Sequence, residues 1–544
     1  MIADIRTAGP LGLLLELGSL DDVLAVHQHL TTNPLPGQVD AVAAASTVML
    51  SFANRASVRE ARKSLAALSG LTFETGESRD VDIEVVYDGE DVDDLAHALS
   101  MSREALIKWH SDQKWVGAFG GFAPGFTYCT PLGEEKPVPR RPSPRTAVPE
   151  RSVAVAGGFS GVYPRLSPGG WQLLGRTSAK MWDLSRDSAA LVSPGDTVRY
   201  VAVPPESISL VDNEHDADRT LPGGDGAHVL TVVASGMQLL IQDPGRAGHS
   251  DLGVSRAGVA DEAAARQANR LVGNPESAAV LEILNGGTKL RAERASILAV
   301  SGAELSLMIT TADGETRQPS QYAPFAILDG ETLTLGMATV GLRAILAIRG
   351  GVTGREELGS LSSDTMSGLG PAPLNAGDPI AVGDLPVAAV GEPEPSTLPT
   401  RDADGAVTVR FTFGPRDDWF NADERRRLTT QTWHVTRQAN RVGVRLEPDP
   451  SDPDNRPLIR ERTDELASEG VPRGSLQMPP EGNPVLFLND HPVTGGYPVI
   501  GVVIAQDLSA AAQLRPGDTL RFAAVDPETL ELLDTPARAE PAIN

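Results

Sequence analysis

Cysteine is almost absent from this 544-residue sequence, and Cys129 is its only copy. A disulfide framework within the chain and a metal site built from several thiolates are therefore excluded. The motifs of several enzyme classes are missing as well. The chain has no GxxxxGK[ST] phosphate loop, no HExxH zinc motif, no GxSxG nucleophile elbow and no Ala-Met-Lys-Met biotin-attachment site. We therefore expect neither a metal centre nor covalently attached biotin.

Long apolar runs and excess positive charge are also missing. No run of 18 apolar residues exists, so no membrane-spanning helix is expected. The N-terminal apolar run has no basic segment before it and is interrupted by Glu16, which predicts a first β-strand instead of a signal peptide. The formal net charge of −25 argues against non-specific binding to nucleic acid or anionic membranes. The simplest localisation is cytoplasmic.

Aromatic residues make up only 4% of the chain, whereas glycine (54) and proline (42) are plentiful. This composition favours turn-rich β structure over helical bundles. At roughly 100–200 residues per domain, the length predicts three to five domains. The expected fold class is mainly β with α+β, in which barrel or sandwich domains follow a small α+β domain.

Periodicity and turn signals divide the chain into successive units. The first unit alternates strands with amphipathic helices, ending on the strand VDIEVVYDG, in the order typical of a ferredoxin-like domain. Beyond it, glycine and proline interrupt short apolar runs, which predicts barrels or sandwiches. The predicted units are the α+β domain at 1–90, a barrel at 91–208, a linker at 209–227, a barrel subdomain at 228–390, a linker at 391–405, a barrel at 406–526 and a tail at 527–544.

One β unit occurs twice in the sequence. SPGGWQLLG followed by LVSPGDTVRYVAV, within 152–203, resembles VTGGYPVIG followed by QLRPGDTLRFAAV, within 475–525. A glycine pair precedes Trp171 in the first copy and Tyr497 in the second. A third, weaker copy ends at Ala376-Gly377-Asp378. Where two related units meet, we expect a shared site between them.

The densest candidate for ligand binding is the segment 137–158, which is rich in arginine and proline. Arg140, Arg141 and Arg145 alternate there with prolines, which stiffen the backbone and hold the guanidinium groups at low entropic cost. Fixed arginines suit recognition of carboxylate, carbonate or phosphate. The alternative is a surface loop with solvated arginines, and the sequence does not decide between the two.

Two residues are candidates for proton transfer or substrate orientation. His110 lies on a predicted helix before the arginine segment, and histidine is the side chain best suited to act as a general base at neutral pH. Asp261 lies at a loop-to-helix junction, where it either caps the helix or orients an amide substrate. Glu282 lies on a strand and faces either a cavity or water. Cys129 has no neighbour in sequence that would lower its pKa, which predicts a structural role.

Several long motifs resemble a known family of paired subunits. GGFAPGFTY, PRRPSPRTAVPERSVAVAGG and YPRLSPGGWQLLGRT resemble the first, KipI-like partner of the Kip-type proteins. IQDPGRAGHSDLGV, NRVGVRLE, SEGVPRGSLQMPPEGNPVLFL and TGGYPVIG resemble the second, KipA-like partner. The same pair resembles the B and C subunits of bacterial ATP-dependent 5-oxoprolinase and the carboxyltransferase domain of urea carboxylase (urea amidolyase). The resemblance runs from residue 1 to about residue 526 and indicates a fusion of the two subunits.

The resemblance implies one cyclophilin-like barrel in the KipI-like half, two in the KipA-like half, and an active cleft between the halves. The chain departs from the family pattern at Ser255 and Ala260, where proline and methionine are usual, and both changes are small. Carried onto this sequence, with His110 and Asp261 as catalytic candidates, the expected substrate-binding residues are Tyr128, Arg140, Arg145, Gly170, Trp171, Arg176, Gln242, Asp243, Arg246, Asn440, Arg441, Gly496 and Tyr497.

Three functions follow from the resemblance, and the first is preferred. In the first, ATP with Mg²⁺ activates the lactam of 5-oxoproline, and a separate A-type subunit helps to open the ring to glutamate. In the second, the chain is a carboxyltransferase that moves CO₂ from carboxybiotin to urea or a related amide, with biotin carboxylase and carrier domains on another chain. In the third, it binds and regulates a histidine kinase, although a fused inhibitor and antagonist could not be controlled separately. The oligomeric state stays open.

Overall fold

The computed structural model describes residues 2–73, 78–141, 145–207 and 227–533, and most of its regular structure is β. A small α+β domain is followed by three barrel-like β domains, which confirms the fold class expected from the sequence. Within the described ranges, no helix is long and apolar enough to cross a membrane. Most of the predicted linker 209–227 and of the tail 527–544 lies outside the described residues.

The N-terminal domain is a four-stranded antiparallel sheet with two helices. Its elements are β1 (Ile2–Thr7), β2 (Gly12–Leu17), α1 (Leu20–Thr32), β3 (Gln38–Ala43), β4 (Thr47–Phe52) and α2 (Arg55–Ala66). The strand order is β1-β2-β4-β3. In a ferredoxin-like domain, the strand after the second helix fills one edge of the sheet. Here β1 fills that edge, because a tight turn at Gly9 (φ +85°) folds it directly onto β2.

The first barrel begins with the strand that the sequence pattern assigns to the N-terminal domain. Its elements are β5 (Asp80–Val85), α3 (Val92–Ala98), α4 (Arg103–Asp112), β6 (Trp115–Gly120), β7 (Thr127–Pro131), β8 (Arg145–Val148), β9 (Ser152–Ala156), β10 (Phe159–Val162), β11 (Ser167–Gly169), β12 (Gln172–Arg176) and β13 (Thr197–Ala202). The prediction for β5 is wrong, since β1 already occupies the edge of the first sheet and β5 pairs in parallel with β13. A bridge between Val86 and Arg176 joins the two ends of the barrel sheet.

The middle domain consists of two sheets that enclose the largest apolar core. Its elements are β14 (Ala227–Ala234), β15 (Leu239–Gln242), α5 (Glu262–Val272), β16 (Val280–Leu284), β17 (Lys289–Ala292), β18 (Ser296–Glu304), β19 (Leu307–Thr310), β20 (Thr316–Arg317), β21 (Pro324–Ile327), β22 (Thr332–Leu335), β23 (Val340–Ile348) and β24 (Pro379–Val382). Helix α5 packs its apolar face on β18 and β23. The predicted linker 391–405 has no regular structure, and its Glu394 forms an ion pair with Arg270 of α5.

The last domain is a closed seven-stranded barrel with the order β25-β32-β29-β30-β27-β26-β33. A separate two-stranded ribbon, β28 with β31, projects from it. The elements are β25 (Val407–Phe413), α6 (Ala422–Thr430), β26 (Trp433–Val435), β27 (Gly443–Pro448), β28 (Glu469–Gly470), β29 (Ser475–Gln477), β30 (Val485–Phe487), β31 (Thr494–Gly495), β32 (Val499–Val503), α7 (Ala505–Ala512) and β33 (Thr519–Ala524).

The first and last barrels have the same topology. The order β5-β13-β6-β7-β10-β9-β12 corresponds strand for strand to β25-β33-β26-β27-β30-β29-β32, and both barrels pair their first and last strands in parallel. Ribbon β8–β11 corresponds to β28–β31, so both glycine pairs lie at equivalent places. The Trp115 indole donates to the carbonyl of His110 (3.0 Å), and the Trp433 indole donates to that of Leu428 (3.2 Å). The sequence repeat therefore reflects a duplicated barrel.

The Gly-Asp turn before the last strand recurs in all three β domains. The aspartate accepts a hydrogen bond from the backbone N–H three residues earlier, at 2.9 Å for Asp196, 2.7 Å for Asp378 and 2.8 Å for Asp518. The preceding glycine has φ between +92° and +96° in each turn. The weak third copy in the sequence thus has the same local geometry as the other two.

Alanine at Gly195, Gly377 or Gly517 is expected to destabilise its own domain by about 1 kcal/mol, because a side chain is disfavoured at this positive φ. An added Cβ would meet no atom within 4 Å at any of the three sites, so backbone strain is the only cost. Urea unfolding checks this, with Gly18→Ala as control, because Gly18 has no positive φ and its nearest neighbour is the end of the Asp22 side chain. An equal loss in the control would contradict the prediction.

Candidate functional site

The two halves of the chain, residues 2–207 and 227–533, meet along a seam of loops. Thr494 of ribbon β28–β31 accepts a hydrogen bond from the backbone N–H of Phe122 (2.8 Å) and lies 3.4 Å from the hydroxyl of Tyr128. On the other side, Asp40 accepts hydrogen bonds from the backbone N–H groups of Gly248 and Ser250, both at 3.2 Å. We call this contact the seam. Besides Asp40 and Ser468, it consists of the loops 119–127, 139–141 and 163–171 from the first half and 245–258, 357–371 and 489–497 from the second.

Arg140 lies between the two glycine-pair turns. The next residue, Arg141, donates its backbone N–H to the carbonyl of Gly170 (2.8 Å), which fixes the arginine loop against the first turn. The Arg140 guanidinium covers Gly496 of the second turn, where a Cβ would collide with it. Its Nη2 donates to the hydroxyl of Ser468 at 3.2 Å. The two turns for which the sequence predicts a shared site therefore flank one half-buried arginine.

The other two arginines of the loop are engaged by a buried carboxylate. Arg145 donates to both oxygens of Asp91 (2.9 and 2.8 Å) and to Glu90 (3.0 Å), and Arg141 also pairs with Asp91. Asp91 further accepts the backbone N–H of Leu173 at 2.7 Å. Burial of Asp91 opposes ionisation, but these partners lower its pKa overall. Arg145 therefore holds the loop in place, and Arg140 is the arginine of this loop that faces the other half.

An aromatic wall lines the first-half side of the seam. Tyr128 is stacked on Phe119, with ring centroids 4.5 Å apart, and contacts Trp171 edge to face at 5.4 Å. The hydroxyl of Tyr163 lies where a side chain at Gly169 would be, and burial raises the pKa of Tyr163. Tyr128 and Trp171 are themselves nearly buried, so they shape the wall and present little surface to a ligand.

The second-half residues Gln242, Asp243 and Arg246 hold a loop that the sequence reasoning missed. We call residues 357–371 the serine loop. Asp243 accepts hydrogen bonds from the hydroxyls of Ser360 (2.6 Å) and Ser362 (2.5 Å). Gln242 donates to the carbonyl of residue 363 at 2.8 Å, and Arg246 donates to that of Ser362. The sequence signal that could have revealed this loop is GSLSSDTMSG at 359–368, in which several serines and an aspartate lie between two glycines.

Arg441 is the centre of a buried ion cluster between the two barrels of the second half. Its guanidinium donates twice to Asp490 (both 2.9 Å), to Glu282 (2.5 Å) and to the carbonyl of Gly258 (2.7 Å). Burial opposes the charge, but the two carboxylates raise the pKa of Arg441. Glu282 thus faces an arginine, not a cavity or water. Asn440 is an exposed turn residue whose side chain accepts two backbone N–H groups.

Asp261 has the capping role that the sequence left open. Its Oδ1 accepts the backbone N–H of Ala264 (3.0 Å) at the start of α5, and its Oδ2 accepts the side-chain amide of Gln513 (2.6 Å). Burial raises the pKa of Asp261. With both oxygens occupied and almost no exposed surface, this carboxylate joins α5 to the end of α7.

His110 is fully buried in the core of the first barrel, among Tyr87, Trp115 and Tyr200. Its Nδ1 lies 2.7 Å from the Tyr87 hydroxyl and its Nε2 lies 2.8 Å from the Ser160 hydroxyl. Burial lowers the pKa of His110 to about 3, so the ring is neutral at pH 7. Its place corresponds to that of Leu428 in the last barrel, which is a core position. The structure does not bring His110 to the seam.

Two further residues lie away from the seam. Arg176, at the far end of β12 from Trp171, pairs with Asp88 at 2.9 Å. Cys129 is buried, and burial raises its pKa to about 12, so the thiol stays protonated and unreactive at neutral pH. The predicted residues that the seam does bring together are Tyr128, Arg140, Gly170, Trp171, Gly496 and Tyr497, with Gln242, Asp243 and Arg246 behind the serine loop.

Two family models match the chain, and both describe a carboxyltransferase domain. Subdomains C and D match residues 3–192, and subdomains A and B match residues 252–524. The crystal structure of TTHA0988 is similar, with a TM-score of 0.78 and 33% identity, over 94% of this chain and 99% of that one.

Curated relatives match different parts of the chain. The C subunit of 5-oxoprolinase from Escherichia coli (strain K12) is 30% identical over 304 residues, which are 54% of this chain and 90% of that protein. The B subunit of 5-oxoprolinase from Escherichia coli O157:H7 is 44% identical over 128 residues, 23% of this chain and 59% of that protein. Urea amidolyase of Lachancea kluyveri is 30% identical over 311 residues, and the chain spans only 16% of it.

The stability of the first barrel is expected to fall below pH 6.5 because of His110. Its pKa is about 3 in the folded state and about 6.5 when unfolded, so the unfolded chain binds one more proton between these values. The loss is about 1.4 kcal/mol per pH unit, or about 2 kcal/mol at pH 5. His110→Leu should unfold more easily at pH 7, since Tyr87 and Ser160 lose a partner, but its unfolding free energy should change less between pH 7 and pH 5. An unchanged pH dependence, measured by urea titration, would refute this assignment.

Proposed function

Because the chain belongs to the carboxyltransferase-domain family, we propose that it works as a fused pair of subunits in an ATP-dependent amidohydrolase resembling 5-oxoprolinase. The substrate is a small cyclic amide such as 5-oxoproline. In this reaction the ring C–N bond breaks and two water molecules are consumed. One adds to the activated carbonyl carbon and opens the ring, and the second releases the phosphoryl group as phosphate. The ring nitrogen ends as an ammonium group, and ATP ends as ADP and phosphate. The enzyme is completed by a separate A-type subunit.

The observation that carries this proposal is the contact of Arg140 with Gly496 across the seam. Proteins named as the B and C subunits of one enzyme both match this one chain, and the contact brings the two halves to a common point. An arginine without a carboxylate within 4.0 Å, among the described residues, keeps its charge free for a ligand. We propose that the seam around Arg140 is the substrate site.

Within that site, each residue has a role set by its position. Arg140 holds the carboxylate of the substrate or the oxygen on which negative charge develops, since a guanidinium binds planar oxyanions with two parallel hydrogen bonds. Gly170 and Gly496 let backbone and ligand approach closely. The wall of Tyr128 and Trp171 keeps water from one side. Asp91 and Arg145 hold the loop so that Arg140 loses little freedom on binding.

ATP supplies the phosphoryl group that activates the amide carbonyl. The donor set of the seam fits a phosphate group as well as a carboxylate, because Arg140 makes only one hydrogen bond to the described residues. We propose that the remaining contacts to ATP and Mg²⁺ come from the A-type subunit. The chain itself contributes anion binding, orientation of the amide and exclusion of water.

Carboxyl transfer is the second candidate, and it rests on the two matching family models, which describe a carboxyltransferase domain. Bicarbonate and carboxylated amides are also planar oxyanions that Arg140 could bind. The two functions differ in what they consume. The first requires ATP and a cyclic amide with the A-type subunit, and the second requires carboxybiotin from a carrier chain and an open amide such as urea.

Coexpression with the cognate A-type subunit should give ATP hydrolysis that depends on 5-oxoproline and releases glutamate. Arg140→Ala should lower kcat/KM by about 100-fold or more, the usual effect of removing one group that stabilises developing charge. The matched control is Arg199→Ala, because Arg199 is exposed and pairs with Asp82 on the neighbouring strands β13 and β5 of the same barrel. Activity should survive in the control.

The outcome that contradicts the proposal is absence of turnover above that of the separate components. If the same preparation instead carboxylates urea with a biotin carboxylase and carrier chain, the second candidate takes its place. If Arg140→Ala and Arg199→Ala have equal effects, the amidohydrolase survives but its site does not lie at Arg140.

A further inference from the structure

We propose that Arg165 is a second anion-binding residue, which holds a negatively charged oxygen group of the substrate at the serine loop. The proposal rests on the proposed function for the identity of the substrate, but not for the existence of the site. Arg165 belongs to the first half and contacts the second, as Arg140 does.

The contact of Arg165 with the serine loop has the same form as that of Arg140 with the second glycine turn. Arg165 donates to the backbone carbonyl of Ser367, and its guanidinium lies over Gly368, where any Cβ would collide with it. Gly368 has φ +67°, so glycine is favoured both by this backbone conformation and by the lack of room for a Cβ. Only a residue without a side chain allows an arginine to lie this close to the loop.

The charge of Arg165 is not neutralised by the described residues around it. A backbone carbonyl takes one of its five N–H donors and carries no net charge. Asp364 and Asp490, two carboxylates bound to the serine loop, have other partners. Asp364 accepts the Ser255 hydroxyl at 2.7 Å and two backbone N–H groups of its own loop, and Asp490 is bound to Arg441. A half-buried guanidinium in this state suits a carboxylate or phosphate oxygen.

The platform beneath Arg165 is rigid, which lowers the cost of binding. The serine loop is fixed by Asp243 through two serine hydroxyls, and by Asp490, which accepts the backbone N–H (2.9 Å) and the hydroxyl (2.6 Å) of Thr365. Leu166, beside the arginine, is 65% exposed. Such a site, with fixed donors next to accessible surface, binds a ligand without first ordering a loop.

Arg165 and Arg140 flank the same ribbon. The chain from Arg165 to Gly170 can span at most about 17 Å, and Gly170 is hydrogen-bonded to the residue after Arg140. Two cations on one seam suit a substrate with two anionic ends. A cyclic amide that carries a carboxylate and is phosphorylated on its ring carbonyl has this form. We assign the carboxylate or the phosphoryl group, whichever lies nearer the middle domain, to Arg165.

Binding of inorganic phosphate to the full chain tests the site without the activity. Isothermal titration of the wild-type chain should show binding, Arg165→Ala should weaken it at least tenfold, and Arg165→Lys should fall between them because it keeps only a point charge. The matched control is Arg186→Ala, since Arg186 is in the same barrel and also donates to a backbone carbonyl, that of Lys180 (2.8 Å), without reaching the second half. Its phosphate affinity should stay within about twofold of the wild-type value.

Three results would overturn the assignment: no phosphate binding to the wild-type chain, an unchanged affinity in Arg165→Ala, or an equal loss in Arg186→Ala. An arginine that only fastens the halves would lower the thermal midpoint in Arg165→Ala and leave phosphate affinity intact. The proposed function fails separately. If Arg165→Ala loses phosphate binding but the wild-type chain shows no turnover with the A-type subunit, the anion site is supported and the amidohydrolase is rejected.

Discussion

The buried cluster around Arg441 is the interaction on which the seam depends. One guanidinium binds the carboxylates of Asp490 and Glu282 and a backbone carbonyl of the loop 245–258. Asp490 in turn holds Thr365 of the serine loop, and it lies four residues before Thr494, which contacts the first half. Three of the loops that form the seam therefore converge on a single arginine.

A buried ion cluster of this kind specifies geometry more than it adds stability, because removing charges from water costs about as much as their attraction returns. What it provides here is a fixed distance between the two second-half barrels, so that their loops present one surface to the first half. Asp91 does the same for the first half, where it binds Arg141, Arg145 and the backbone of Leu173. Each half brings a loop set that is already ordered, and docking costs little further entropy.

Sequence reasoning succeeded where the signal is local. The Gly-Gly-aromatic and Gly-Asp turns are short motifs, and they predicted the duplicated barrel. The weak third copy shares only the geometry of its Gly-Asp turn at Asp378. It failed where a partner is distant in sequence. Nothing near Arg145 shows that Asp91, 54 residues earlier, binds it. The burial of His110 becomes evident only from the structure, where the Trp115 indole binds its carbonyl as the Trp433 indole binds that of the core residue Leu428. The placement of β5 in the barrel likewise depends on which strand occupies the edge of the N-terminal sheet, and the sequence pattern does not show that β1 occupies it.

The duplication also explains why two unlike surfaces meet at the seam. Two identical ribbons would present the same side chains to each other, but the sequences of these two ribbons differ. In the first ribbon, Trp171 is buried in the aromatic wall and the arginine loop lies beside the glycine turn. In the second ribbon, Gly496 lies under Arg140 and Tyr497 is half-buried. The cationic side chain therefore comes from one copy and the close-approach glycine from the other. The contact of Arg140 with Gly496 therefore needs both copies, and fusing the halves in one chain fixes their ratio at one to one. The chemistry proposed for this protein thus belongs to the contact between the copies, and a variant that separates them should lose it even when each barrel stays folded.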